Sequence, residues 1–505
     1  MAERVPQPFL AGIYGIEVTE EMVRVLRDSS AAGIFLLRRN IESTEQVRAL
    51  VANLEQELGY RLLVAVEHEG GRVYRFTRGI TFFPGNCAIG KTGTPALAYE
   101  VGRSMGRELA GMGININLAP VLDLESEEPR AESALRTFGS DPAQTGNMGA
   151  EMMRGLREAG IAPTARHFPG KGGGPVVNLP REALLERDLS PFRVAIAGGV
   201  PLVMTANAVY PALDPEQPAM FSSKIVTDLL RRDLGFNGVA VTEDLTSVSA
   251  ASSLSTEEAT VRALQAGNDL CLIGHDYENL KRASRGLKLA VDGGRVPKSL
   301  FEKSQLRLQA LLGKKPAARP LSVDDPEEIQ AAAALAGIVA GAAVKVERDP
   351  QELLPIDYGK RVGVLVPRLW DVADRIAIDD ELRGAASLIQ GWIQANSSTV
   401  EVLEIPIQPE GEMLNLTLDW AAGLEIVAFL CFDAHRFAGQ RKLLEELQRR
   451  CPRVVAVLIA NPADRSFVKE KTSVVNTFGF RVCQLSAAIS VLFRKSVAPD
   501  RSRPV

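Results

Sequence analysis

Histidine is scarce in this 505-residue chain. There are four, His68, His167, His275 and His435, and none is spaced from another as metal ligands are, so no metal is expected. Cysteine is nearly as sparse. Cys87, Cys271, Cys431, Cys451 and Cys483 lie far apart, are odd in number and form no C-x-x-C pair. They read as buried free thiols of a reducing, cytoplasmic compartment rather than a disulfide framework. An excess of one charge is missing too: 58 Lys and Arg against 62 Asp and Glu leave −4, spread along the chain. Nothing here calls for nucleic acid or an anionic membrane surface as partner. No apolar run approaches the roughly 20 residues that span a bilayer. The start, MAERVPQPFLAGIYG, lacks a basic segment followed by a long apolar core, so no secretory signal is expected. The strand–helix turns of the second half carry no glycine-rich phosphate cradle, which argues against a nucleotide; no cofactor is expected.

What is present is a globular composition, 46% hydrophobic and 24% charged, in a chain too long for one ordinary core. Eight short apolar runs are spaced along the first three hundred residues: FLAGIYG (9–15), GIFLL (33–37), LLVAVEHEGG (62–71), ININLAP (114–120), IAPTARHF (161–168), PLVMTANAV (201–209), GVAVTEDL (238–245) and DLCLIG (269–274). Stretches of helical period such as STEQVRALVANLEQELG lie between them, and several close with Gly. This alternation predicts a (β/α)8 TIM barrel over residues 1–312; an open doubly wound sheet is the alternative, disfavoured by the count of eight. GKKPAARPLSVDDPEE (313–328) reads as a linker. Residues 329–505 resume the alternation with VGVLVP, TVEVLEIP, EIVAFLCFD and VVAVLIAN, which predicts a smaller α/β sandwich domain with a mostly parallel sheet. Its strand ends carry few clustered reactive groups.

In a barrel, chemistry sits at the carboxyl ends of the strands. Strand three ends in Glu67-His68-Glu69, with Arg72 and Arg75 beyond; strand four in Asp123, with Arg136 in the loop after it. Strand five ends in Arg166-His167, strand six near Asn207, strand seven in Thr242-Glu243-Asp244. A ring of carboxylates and guanidinium groups suits a sugar. Each item also has a bland explanation. Glu67 and Glu69 could pair with Arg72 and Arg75, His167 could be a hydrogen-bonded core residue, and Glu243-Asp244 could cap the next helix. Their convergence at one barrel end favours a site. The stretch RHFPGKGGG (166–174) adds a glycine-rich loop directly after strand five.

VAVEHEGGRVYRF resembles the VDQEGGRV-type motif of glycoside hydrolase family 3, and NLAPVLDL, LRTFGSDP, RHFPGKG, DLSPF, GFNGVAVTEDL and the AGND segment (266–269) follow in that family's order. The branch it most resembles is the bacterial β-N-acetylhexosaminidases. The likeness covers residues 8–310 and extends more weakly through NPADRSF in the second domain. It implies a barrel, often followed by an α/β sandwich, and hydrolysis of β-glycosides with retention. A carboxylate after strand seven attacks the anomeric carbon, and a separate group protonates the leaving oxygen. The implied partner is a small-molecule sugar or glycoside.

The resemblance places catalytic roles on altered residues. Glu243 stands where the branch has its Asp nucleophile, with Asp244 as the stand-in if the register slips by one. Lys171 stands where a loop histidine acts as acid/base, and the family's following D-S-H has no counterpart in GGGPVVNLP. Glu67 replaces a sugar-binding Asp, Arg166 a Lys and Asn207 a His, whereas Arg75, Asp123, Arg136 and His167 match. Glu for Asp adds a methylene to the nucleophile, and misplacement on the ångström scale can cost about 100-fold in rate. Lysine, with a reference pKa near 10.4, is a poor acid at neutral pH. Two readings follow: a retaining hydrolase of a β-N-acetylglucosaminide with altered specificity, or a catalytically inactive relative that binds a sugar or a protein partner.

Overall fold

The structure is a computed structural model. It describes residues 5–125, 134–170, 174–251, 254–274, 276–313, 325–394 and 399–493. The described residues divide into two compact units. The first takes those of Met1–Glu69, Thr94–Ser126 and Thr137–Ile329; the second takes those of Gly70–Gly93, Glu127–Arg136 and Gln330–Val505. Most of the expected linker, 314–324, lies outside the described residues, and the helix Pro326–Ala343 begins within its last turn of sequence.

In the first unit the eight apolar runs become strands β1 (Gln7–Gly12), β2 (Ala31–Leu36), β3 (Leu63–Val66), β4 (Ile116–Asn117), β5 (Ala162–Phe168), β6 (Leu202–Thr205), β7 (Val239–Asp244) and β8 (Leu270–Ile273). They close into a barrel in the order β1-β8-β7-β6-β5-β4-β3-β2, every pair parallel. Side chains fill one face of each strand and helices cover the other, so β2 and β3 are buried along their whole length. That is why they read as continuous apolar runs rather than alternating ones. Leu10, Phe35, Leu63, Met204, Val241 and Leu272 belong to one core cluster.

The intervening helices begin where side chains can take up their unpaired N–H groups. Thr19 accepts from Met22 N–H and Ser43 from Gln46 N–H; Asp141 accepts from both Ala143 and Gln144. The helix Thr44–Leu58 stops at Gly59, whose φ of 78° is the left-handed value glycine adopts freely.

The AGND segment has a structural explanation. Asn268 lies buried between Thr205, Met220 and Ala263, accepting from the Thr205 hydroxyl (2.8 Å) and donating to both carbonyls. Asp269, also buried, accepts from Ala240 N–H (2.9 Å) and binds two arginines, Arg307 at 2.8 Å and Arg231. It ties the start of β8 to β7 and to the helix Lys298–Leu312.

The second unit holds a six-stranded sheet. Its strands are β9 (Lys345–Arg348), β10 (Val362–Pro367), β11 (Val400–Ile405), β12 (Ile426–Cys431), β13 (Val454–Leu458) and β14 (Ser473–Asn476), in the order β9-β14-β13-β12-β10-β11. Only the β9–β14 pair is antiparallel. Alternate residues feed separate cores on its two faces. Val364, Ala428 and Val455 face one, packed with Ile389 and Leu485, whereas Leu365, Phe429 and Ala456 face the other, packed with Leu418 and Leu444. The expected α/β sandwich with a mostly parallel sheet is present.

The segment 70–93 is held in this unit by Arg481, which is fully buried. Arg481 donates to Gly71 C=O (2.7 Å) and Ala377 C=O (3.0 Å) and pairs with Asp379. Its guanidinium carbon lies 4.7 Å from the Tyr74 ring centre and 5.1 Å from that of Phe82.

Replacing Asp269 with Asn keeps its shape and removes the countercharge of two largely buried arginines. Loss of one partner in such a network typically costs about 3–5 kcal/mol. Denaturant unfolding of Asp269→Asn should show a loss in that range, and a change below about 1 kcal/mol would contradict the assigned role.

Candidate active site

The carboxyl end of the barrel is organised around Arg166 at the end of β5, a guanidinium with no exposure to solvent. It donates from Nη1 to Glu67 Oε1 (2.9 Å) and from Nη2 to Glu69 Oε1. Glu67 and Glu69 follow β3 and lie two residues apart, the spacing of one face of extended chain. The short strand β4 between them and β5 helps present them. Its Asn117 side chain accepts from His68 N–H (3.1 Å) and donates to His68 C=O (2.8 Å), holding the backbone between the two glutamates. The pairing of these glutamates with Arg72 and Arg75, weighed from the sequence, is not what the structure shows for Arg72, whose guanidinium binds Asp433 at 2.6 Å. Burial pulls Arg166 down to about 10, with the Glu243 carboxylate acting in the opposite direction. It remains a cation at neutral pH.

His167, the next residue, is also buried. Its backbone N–H and its Nδ1 both meet the Asp123 carboxylate, at 3.0 and 2.7 Å. Desolvation lowers the histidine below its ordinary value, against the opposing pull of Asp123 and Glu243. The imidazole is therefore neutral near pH 7, with Nδ1–H directed at Asp123. The Arg166–His167 and Phe168–Pro169 peptides are both cis. Asp123 stands six residues beyond the end of β4 rather than on it.

Glu243 and Asp244 close β7 and diverge in role. Asp244 turns to the frame: its Oδ1 accepts from Thr246 N–H (3.0 Å), the Thr246 hydroxyl (2.7 Å) and Gly274 N–H after β8 (3.1 Å). This is the helix-capping role weighed from the sequence, filled by one of the two residues. Glu243 is half-buried and its Oε1 accepts from the backbone N–H of Asn207 at 2.7 Å. Asn207 follows β6, and its main chain makes this contact.

Two further groups complete this end. Tyr210, fully buried, donates its hydroxyl to Gly170 C=O (3.2 Å). Burial, reinforced by the charges of Asp123, Glu243 and Asp188, pushes the phenol well above its usual range. Asp188, in DLSPF, is buried beside Gly170, and its Oδ1 has no hydrogen-bond partner among the described residues. Its carboxyl is raised by desolvation, against the nearby Arg187. Neither residue was singled out from the sequence. DLSPF was visible as a motif, but Tyr210 carried no signal.

The structure thus brings Glu67, Asp123, Arg166, His167, Asn207 and Glu243 into one linked array in the first unit. Arg75 and Arg136 belong to the second unit, where burial and the charge of Arg136 together lower Arg75. Lys171 lies outside the described residues.

Comparison with known proteins agrees with this frame. The Glycosyl hydrolase family 3 N terminal domain matches residues 7–311. A beta-hexosaminidase of Neisseria gonorrhoeae is 35% identical over 281 residues, 53% of this chain and 77% of that protein. One from Tolumonas auensis is 36% identical over 278 residues, 52% of this chain and 82% of that protein. Among solved structures, a glycoside hydrolase family 3 beta-N-acetylglucosaminidase from Paenibacillus sp. superimposes with a TM-score of 0.88 at 29% identity, covering 98% of this chain and 97% of that one.

The depressed histidine has a pH consequence. Folding favours neutral His167, so its contribution is complete above the unfolded value near 6.5 and is lost as pH falls toward the lower folded value. Between pH 7 and 5 the wild type should lose stability more steeply than His167→Gln, by up to about 1.4 kcal/mol per pH unit. Parallel denaturation midpoints for the two proteins across that range would refute the assignment.

Proposed function

Because this chain belongs to glycosyl hydrolase family 3, we propose that it hydrolyses a terminal β-N-acetylglucosaminide with retention, using Glu243 as nucleophile. The observation that carries this reading is the Asn207 N–H bond to Glu243 Oε1 at 2.7 Å. It fixes one carboxylate oxygen at the end of β7, so that the carboxylate is held where a nucleophile of a barrel enzyme stands. Asp244 is committed to Thr246 and Gly274, which supports Glu243 over its neighbour. The similarity to a beta-N-acetylglucosaminidase along nearly the whole chain supports the substrate class.

In the proposed reaction Glu243 attacks C1, the leaving oxygen departs, and water hydrolyses the ester of the glycosyl-enzyme. Glu67, held by Arg166, accepts hydrogen bonds from sugar hydroxyls; His167, held by Asp123 through Nδ1–H, accepts at Nε2. We assign Arg75 and Arg136 to substrate binding on the motif match. The carboxylates of Glu67, Glu69, Asp123 and Glu243 gather around Arg166 at this end of the barrel, and negative charge there suits a transition state that gathers positive charge on the sugar ring. Lys171 is a poor stand-in for the branch's histidine, because lysine, with a reference pKa near 10.4, holds its proton at neutral pH. Turnover is therefore best on substrates whose leaving group departs without help. Five free thiols support a reducing, cytoplasmic setting.

Glu243→Gln should lower kcat on an aryl β-N-acetylglucosaminide by about 10^4-fold or more with little change in KM. Unchanged turnover in that variant, or no wild-type turnover on a panel of aryl glycosides, would remove the proposal. Lys171→Ala should cost less than about tenfold on a nitrophenyl substrate, whose leaving group needs no proton. A loss of hundreds of fold in kcat at unchanged KM would instead place this lysine in the catalytic machinery.

A further inference from the structure

The second unit holds a cluster that the reaction above does not use. Asp433 and His435 follow β12, and Asp464 sits in the short turn Pro462–Phe467 after β13, the neighbouring parallel strand. From β10 the chain runs outward to β11; from β12 it runs the other way, to β13. The cluster therefore lies at the carboxyl ends of the strands beside the point where strand order reverses, where open α/β sheets hold ligands.

One ligand-type atom from each of the three residues lies within 4.8 Å of the others. Asp464, fully buried, is the anchor: it accepts from Ala434 N–H (2.7 Å), from His435 N–H (3.0 Å) and from His435 Nδ1 (2.7 Å). That last bond fixes the tautomer, leaving the lone pair on Nε2. Nε2 is itself buried and has no hydrogen-bond partner among the described residues. Asp433 is fully buried as well. Its Oδ2 meets Arg72 Nη1 at 2.6 Å, but its Oδ1 likewise has no partner among the described residues. Two bare electron-pair donors, an imidazole nitrogen and a carboxylate oxygen, thus sit in one small cluster. Leaving a buried acceptor unsatisfied costs about 1–3 kcal/mol, more for a charged one, unless something fills the place.

We propose that Asp433 and His435 bind a divalent transition-metal ion of the zinc type, with Asp464 orienting the imidazole from behind. A carboxylate–histidine–metal relay is how such ions are commonly held. Zinc bound at about 2.0–2.2 Å needs its ligand atoms about 3–4 Å apart, and one ligand-type atom of each residue in the cluster lies within 4.8 Å of the others. The carboxylates of Asp433 and Asp464 offer the ion negative charge, with Arg72 paired to Asp433, and water completes its shell. Mixed nitrogen and oxygen donors favour zinc over calcium or magnesium.

The test uses the full chain, stripped with chelator and equilibrated with zinc chloride alone, the bound metal being counted by mass spectrometry. Wild type should bind one zinc with micromolar or better affinity. His435→Gln and Asp433→Asn should each weaken it at least tenfold, whereas Glu243→Gln in the barrel should retain it. X-ray absorption of zinc-loaded wild type should show an imidazole in the first shell, which keeps the question decidable should the His435 variant fail to fold. No bound zinc in wild type, full binding in both cluster variants, loss of zinc in Glu243→Gln, or a shell without imidazole would overturn the proposal.

Discussion

A cation without solvent sets the terms for the carboxyl end of the barrel. Arg166 has no exposure to water, so its charge must be met by the protein. Glu67 and Glu69 do so across the gap left by β4, which is only two residues long. Removing either glutamate would strand the guanidinium, and removing the arginine would crowd two carboxylates. The position of Glu67 is therefore a by-product of neutralising Arg166. So is the placement of the next residue, His167, whose ring is then fixed by Asp123. One buried charge thus orders the side chains from three strand ends.

The neighbours Glu243 and Asp244 show how one strand end divides its labour. Alternate residues of a strand point to opposite faces. Asp244 spends both oxygens on the barrel's own frame, with Thr246, Ser247 and Gly274 as donors. Glu243 receives one backbone N–H and remains half-buried. Their chemical similarity conceals this in the sequence; strand geometry separates them.

The barrel was legible because strands such as β2 and β3 are buried along their whole length and so appear as unbroken apolar runs, and because several of the helices between them close with Gly. The pairing of charges was less legible. Arg72 is three residues from Glu69 in sequence, yet the partner of Glu69 is Arg166, ninety-seven residues away, because strand order and not chain distance decides who meets. Arg72 turns instead to Asp433. The expectation of few clustered reactive groups at the strand ends of the second domain is overturned by Asp433, His435 and Asp464. Twenty-nine residues separate His435 from Asp464, and no spacing rule joins them; the parallel pairing of β12 and β13 does.

The division of the chain into units has a temporal side. Residues 70–93 leave the ribosome with the early strands of the barrel, yet their place is in the second unit, where Arg481 reaches back to Gly71. Some four hundred residues must be synthesised before that partner exists. At about 5–20 residues per second this takes tens of seconds. Over that interval the apolar Tyr74, Phe76 and Phe83, all buried in the finished protein, have no permanent cover from the elements of their own unit. These side chains wait longer for their final packing than they would in a barrel followed by an independent domain.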